Sequence, residues 1–154
     1  ITNAYKKGTN MNIIIREIEK KDYISVAAIW RDVLGFLPAT DESVTRTYEK
    51  MKNDNRYRTF VADMDGNIVG FVTTVETLAI EHPNGYIKVN GLAVLPEFQH
   101  CGTGKMLMER VEKLAYGHNA SAIGLASGFQ RTGAHEFYEH LGYNKTSFYF
   151  RKNI

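Results

Sequence analysis

One cysteine stands among 154 residues, and that scarcity excludes a good deal. Cys101 alone builds neither an internal disulfide framework nor a multi-cysteine zinc site, and a lone thiol fits a reducing cytoplasm. No apolar run reaches the ~18 residues of a membrane-spanning helix, so no membrane partner is expected. Charge of one sign is scarce too. The formal net charge is +2 and no block of about five like charges occurs, which leaves nucleic acid without compositional support. His118 and His140 show no ligand spacing with any partner, and no metal site is expected. Internal repeats and linkers are absent as well. What is present is 44% hydrophobic and 23% charged, the composition of a globular chain long enough for one domain with a real core.

The first ten residues, "ITNAYKKGTN", are polar and patternless, without the apolar centre of a signal peptide. Met11 follows them. Residues 1–10 read either as an expression leader before a natural start at Met11 or as a short disordered tail, with residues 11–154 as the single domain. From there "NIIIREI" (12–18) predicts a β-branched strand. Residues 19–35 place Val26, Ile29, Trp30 and Val33 at helical spacing, and Gly35 stops that helix. Asp41 is placed as the cap of a second helix reaching about Lys52. The period then changes. "YRTFVADM" (57–64) predicts a strand, "DGN" (65–67) a tight turn, and 68–80 the returning partner. "HPNG" (82–85) predicts another turn, and 86–95 a third consecutive strand, with Gly91 marking a bulge or a close backbone approach. A helix over 103–117, a short strand over 121–127, a helix over 131–142 and a last strand over 143–152 complete the order β-α-α-β-β-β-α-β-α-β. The class is α/β (α+β), with a mixed sheet that is antiparallel early and crosses over through helices later.

Between the third consecutive strand and the helix at 103 lies "FQHCGTGKML" (98–107). A Walker loop needs a glycine where Gln99 stands and a Ser or Thr where Met106 stands, because that hydroxyl holds magnesium. The dinucleotide fingerprint needs a third glycine at Leu107 and opens a fold at its first strand. Both fail. What survives is Gln-x-x-Gly-x-Gly at residues 99–104, where glycines let successive N–H groups converge on one anion at the positive end of a helix. A pyrophosphate fits; so does a loop that merely turns a corner.

The second half carries two linked patterns. The first is Val94, Pro96 and Phe98 followed by Gln99, Gly102 and Gly104. The second is Ala134, Phe137 and Tyr138 followed by Gly142 and Tyr143. Together they resemble the GCN5-related N-acetyltransferase superfamily, closely over residues 87–143 and in strand order over roughly 12–152. The resemblance implies a V-shaped splay in the sheet and an acetyl-CoA site. The loop N–H groups of His100, Cys101, Gly102, Thr103, Gly104 and Lys105, with Gln99 before them, would hold the pyrophosphate. Leu92, Ala93 and Val94 would pair with the pantetheine arm.

The implied reaction is direct attack of a primary amine on the thioester. An alkylamine of pKa about 10.4 is about 99.9% protonated near neutrality and must first lose a proton. Tyr138 resembles the family's acid for the leaving thiolate, the alternative being an aromatic packing residue beside Phe137. No carboxylate lies between Tyr86 and Pro96, and Lys88 stands near where the histone-type branch carries a glutamate. Glu76, Glu81 and His82 remain as proton relays or solvated turn residues. Arg131 would contact the coenzyme or a substrate carboxylate, or cap its own helix. His135 shares a face with Tyr138, and Cys101 is incidental or a site of thiol sensitivity. Trp30, Phe36 and Leu37 would wall the acceptor cleft, and Asp41 or Glu42 would attract a cation. A small amine, a polyamine, an aminoglycoside, a protein amino terminus or a lysine would all fit, in a monomer or a homodimer. The reading from a different class is a non-catalytic acyl-CoA sensor on the same fold.

Overall fold

The computed structural model describes residues 12–154. The two readings of residues 1–10, and Met11, lie outside them. Four antiparallel strands are laid down in chain order: β1 (Ile13–Glu17), β2 (Tyr57–Met64), β3 (Asn67–Ala79) and β4 (His82–Val94). A fifth, β5 (Ile123–Leu125), joins β4 in parallel and completes a sheet ordered β1-β2-β3-β4-β5. Helices α1 (Tyr23–Asp32) and α2 (Asp41–Met51) precede β2, α3 (Thr103–Gly117) precedes β5, and α4 (Thr132–His140) follows it.

Strand alternation divides the core in two. Val61, Ile68, Phe71 and Ala93 pack with Tyr23, Val26 and Ile29 of α1 and Tyr48 of α2. Phe60, Ala62, Val72, Ile87, Val89 and Val94 pack with Leu107, Met108, Val111 and Ala115 of α3. Successive residues of β2 therefore serve opposite layers, as a period of two requires. The turn between β2 and β3 puts Asp65 and Gly66 at φ 52° and 89°, the left-handed pair that a two-residue hairpin needs.

Several expectations are corrected. Thr40, not Asp41, caps α2: its Oγ1 accepts from Ser43 N at 3.2 Å, and Asp41 is the first helical residue. "HPNG" is no turn between strands. β4 begins at His82, and residues 83–85 oppose the single residue Leu78 as an irregularity inside the ladder, with Gly85 at φ 71°. The bulge falls one residue before Gly91. Thr74 pairs with Val89 and Thr73 with Gly91, so Asn90 is the extra residue. Gly91 answers to a close approach instead. A Cβ there would sit 2.3 Å from the Trp30 ring, so only glycine lets the indole lie against β4.

The last strand expected over 143–152 does not form, and 143–154 run as unpaired chain. β-propensity makes a strand only where a ladder partner accepts it. β5 is three residues long and pairs only with β4, and Phe148, Tyr149 and Phe150 stay exposed.

One ion cluster ties the first strand to the first helix. Arg16 donates through Nη1 to Asp22 (2.7 Å) and through Nε to Asp63 (2.8 Å), while Glu19 N–H also donates to Asp22 (2.8 Å). Burial alone pushes the Asp22 carboxyl up. The Arg16 guanidinium and the Glu19 N–H outweigh it, and the net shift is downward from 3.8. Arg16→Met should cost about 3 kcal/mol at neutral pH, because it strands a buried carboxylate. In the wild type this stability is present above pH 3.8 and lost as pH falls through the lowered folded value. In the variant only the Glu19 N–H and the Lys21 charge still oppose burial, so Asp22 lies higher than in the wild type. The gap between the two proteins should therefore narrow on acidification, which denaturant melts across pH will read.

Gly91→Ala should cost about 1–3 kcal/mol through overpacking against Trp30. That is a fall of roughly 3–10 °C in Tm for a chain of this size, readable in a thermal melt.

Candidate active site

The Asn90 bulge sets the site. β4 pairs with β5 only through Ile87, Lys88 and Val89, against Ile123, Gly124 and Leu125. Beyond the bulge the two strands part. The β5-facing backbone over Leu92, Ala93 and Val94 then has no strand partner among the described residues, while the same residues remain paired to β3 on the other side. This is the splay the sequence resemblance implied.

The free edge runs into the glycine loop through a tight turn at Pro96–Phe98, where Phe98 N–H donates to Leu95 O at 2.9 Å. His100 and Gly102 both take left-handed backbone, φ 59° and 87°. The first bond of α3 runs from Met106 N to Gly102 O (3.0 Å), so the N–H groups of Thr103, Gly104 and Lys105 precede it and point out of the helix end. Two observations test whether a diphosphate suits this cradle. A Cβ on Gly102 would meet nothing within 4 Å, so the space before the loop is open. Thr103 Oγ1 is buried at the helix start with no hydrogen-bond partner, an orphan that a phosphate oxygen would satisfy. The residues fit.

The other loop residues divide. Gln99 gives its side-chain amide to the chain's own Val94 O at 2.9 Å, a brace across the turn. Lys105 lies 3.8 Å from Glu109, and Cys101 is exposed with its thiol on Gln99 O (3.2 Å).

Helix α4 bridges the two sides of the cleft. Phe137 packs over Gly104, where a Cβ would sit 3.3 Å from the ring. Arg131 Nη2 donates to Leu34 O (2.9 Å), the carbonyl left free beyond the end of α1. Arg131 is thus occupied with the acceptor-side loop. Tyr138 is half-buried between these anchors, against Phe137 and Tyr143, and its hydroxyl has no hydrogen-bond partner among the described residues. Burial raises its phenol above the ordinary 10.0, and the nearby Arg131 guanidinium pulls it part of the way back. Tyr143 is pushed up to about 12 by burial, and its hydroxyl too is buried unpaired. His135 bonds Gly128 O at 3.0 Å and so holds the loop before α4.

A cavity of about 260 Å³ lies on the α1–α2 side and reaches the bulge. Trp30, Phe36, Val44, Met51, Tyr48, Thr73 and Asn90 line it. Trp30 and Phe36 meet edge to face at 6.3 Å. Of the residues expected to wall an acceptor cleft, these two line the cavity. Leu37 is exposed outside the lining. Asp41 lies 3.8 Å from Arg31, Glu42 lies 3.9 Å from Arg46, and Glu76 bonds His118 at 2.9 Å. None of the three carboxylates lines the cavity. His82 stacks near Tyr86.

Asn90, Thr73 and Tyr48 escaped the sequence reading. The strand register brings out Asn90 and Thr73, because Asn90 is the residue squeezed out of the ladder beside the Thr73–Gly91 pair, and Tyr48 reaches the same cavity from α2. Burial pushes the Tyr48 phenol up to about 12, against the pull of the Thr59 and Thr73 hydroxyls, which bond each other at 2.8 Å. A smaller cavity of about 120 Å³, lined by Tyr23, Tyr57 and Arg58 among others, does not reach the bulge. No cluster of three metal-ligating side chains occurs among the described residues.

Known proteins resemble this chain in sequence and in fold. The chain is 26% identical over 136 residues to the aminoalkylphosphonate N-acetyltransferase of Salmonella typhimurium, covering 75% of this chain and 88% of that protein. It is 36% identical over 84 residues to the N-acetylaspartate synthetase of Rattus norvegicus, covering 54% of this chain and 27% of that protein. A crystal structure described as a transcriptional regulator from Bacillus halodurans superposes with a TM-score of 0.85 at 23% identity, covering 92% of this chain and 99% of that one. The model of the acetyltransferase (GNAT) family matches residues 15–143, and the chain belongs to that family of acetyl-CoA-dependent N-acetyltransferases.

Proposed function

We propose that residues 11–154 act as one cytoplasmic N-acetyltransferase domain, with acetyl-CoA bound along the free edge of β4 and a primary amine held in the cavity beyond it. The observation that carries this reading is the position of Asn90. One extra residue opens the β4 edge toward the glycine loop on one side and lines the acceptor cavity on the other. Both substrates therefore meet at the same few residues of backbone.

Acetyl-CoA supplies the activated acetyl group. The N–H groups of Thr103, Gly104 and Lys105, with the Thr103 hydroxyl, bind its diphosphate. Backbone groups over 92–94 orient the arm, and a strand N–H next to the bulge donates to the developing oxyanion. Tyr138 acts as the acid. Its hydroxyl is unpartnered, and its raised pKa keeps the proton on at neutral pH. Asp41 and Glu76 have no direct role, being engaged with Arg31 and His118.

Acetyl-CoA should raise the Tm in proportion to its saturation. Gly102→Val should abolish that shift, because φ 87° strains a β-branched residue and its side chain fills the open space before the loop. A full shift with the variant would remove the glycine loop from the site.

Tyr138→Phe should lower kcat by ~10-fold or more while acetyl-CoA affinity changes little. The acid is lost when the phenol ionises, so the alkaline fall of kcat should lie above pH 10.0. Arg131→Gln should move it further up, since the pull of the guanidinium is gone. Thiol release followed across pH reads both. An unchanged kcat in Tyr138→Phe would return that residue to packing, and release of thiol at all separates an enzyme from a sensor.

A further inference from the structure

We infer that the acceptor is a small apolar amine carrying a single charge, an aralkyl or alicyclic primary amine with no second ionic group. This rests on the acetyltransferase reading of the same site and names the class of molecule it takes.

The cavity is built for an uncharged body. Trp30, Phe36, Val44 and Met51 form its walls, and its polar groups, Thr73 and Asn90 among them, are neutral. At about 260 Å³ it falls just below the roughly 300–1,000 Å³ of drug-sized ligand pockets, which suits one ring and a short arm.

The charges near it are paired elsewhere. Asp41 faces Arg31, Glu42 faces Arg46, and Arg131 is held by Leu34 O. A second ammonium, as in a polyamine or an aminoglycoside, would enter without a counter-ion. A carboxylate or phosphonate on the acceptor would find no Lys or Arg in the lining either. Either charge would be desolvated against apolar walls at a cost of several kcal/mol.

The one positive charge every acceptor brings is its own ammonium, and two features meet it. The Trp30 ring lies against Gly91, next to the bulge, and also lines the cavity, where an aromatic ring would attract the cation. The Asn90 side chain supplies a neutral carbonyl that accepts from the amine N–H. Neither demands a carboxylate. After the ammonium gives one proton to solvent, the nitrogen lone pair attacks the thioester carbonyl carbon. The C–N bond forms, the C–S bond breaks, and its electron pair leaves on sulfur. Tyr138 O–H protonates that sulfur, and the second proton of the nitrogen restores the phenol, so amide and free thiol are the products.

The test uses the full chain, acetyl-CoA and thiol release. The amines are benzylamine, phenethylamine and cyclohexylamine against spermidine, an aminoglycoside, 2-aminoethylphosphonate and aspartate. We expect kcat/KM for the best apolar amine to exceed that for every doubly charged acceptor by at least ~100-fold. Comparable or faster turnover of spermidine, the aminoglycoside or either anionic amine overturns the inference and leaves the acetyltransferase standing. An acetyl-CoA melting shift without turnover of any apolar amine overturns it as well. Absence of both melting shift and turnover overturns the underlying reading. Trp30→Ala should raise KM for the best apolar amine ~10-fold or more with kcat less affected. Because that variant removes core packing, Thr47→Asp at the exposed rim of the same cavity provides the second arm. It should raise kcat/KM for spermidine ~10-fold, and a folded variant without that gain overturns the inference.

Discussion

A single surplus residue in one strand is the constraint on which the site depends. With Asn90 squeezed out of the β3–β4 ladder, β4 bends, and its pairing with β5 stops at Val89. Strand separation leaves backbone polar groups without partners, which a finished sheet would not tolerate. An extended ligand can satisfy them, so the defect in the sheet doubles as a binding edge. The bulge also decides which residues face which layer. Beyond it Ala93 serves the α1–α2 core and Val94 the α3 core, so the free edge is fixed from both faces by buried neighbours. Trp30 packs against the strand at Gly91, so the bulged segment is held by contact as well as by register.

Helix α4 couples the two halves of the cleft by two unlike contacts. Phe137 on Gly104 is packing, and it favours a glycine, since a Cβ would sit 3.3 Å from the ring. Arg131 to Leu34 O is a charged hydrogen bond to the end of α1, favourable because a helix C-terminus carries partial negative charge. Tyr138 stands between them. Its position is therefore set by the glycine loop and the loop after α1 together.

Legibility in the sequence followed the range of the interaction. Strand β2 and helix α3 fell at their expected bounds, since alternation over "YRTFVADM" and the Leu107–Val111–Ala115 stripe are local patterns. The family was legible through the two motifs around the glycine loop and Tyr138. "HPNG" misled because turn residues also serve a bulge, and only the pairing of Thr77 with Tyr86 distinguishes the cases. The expected strand at 143–152 has propensity and no ladder. Asp41 and Glu76 looked available because their partners are side chains whose position is tertiary, His118 being 42 residues from Glu76. Arg131 lies 97 residues from Leu34, and nothing in either segment announces the other.

The neutrality of the cleft bears on how protons move through it. Tyr48 and Tyr138 are both held as phenols by burial, one deep beside the acceptor cavity and one beside the glycine loop. No carboxylate lines the cavity to remove the amine's first proton. Burying one beneath apolar walls would raise its own pKa and add a desolvation cost to every turnover. With an open mouth and a mobile ammonium, solvent can take that proton before the amine settles against Trp30. The protein's part is then confined to the second proton, which has to cross only from nitrogen to sulfur. On the proposed reading, the Tyr138 phenol beside Phe137 and Tyr143 would make that transfer.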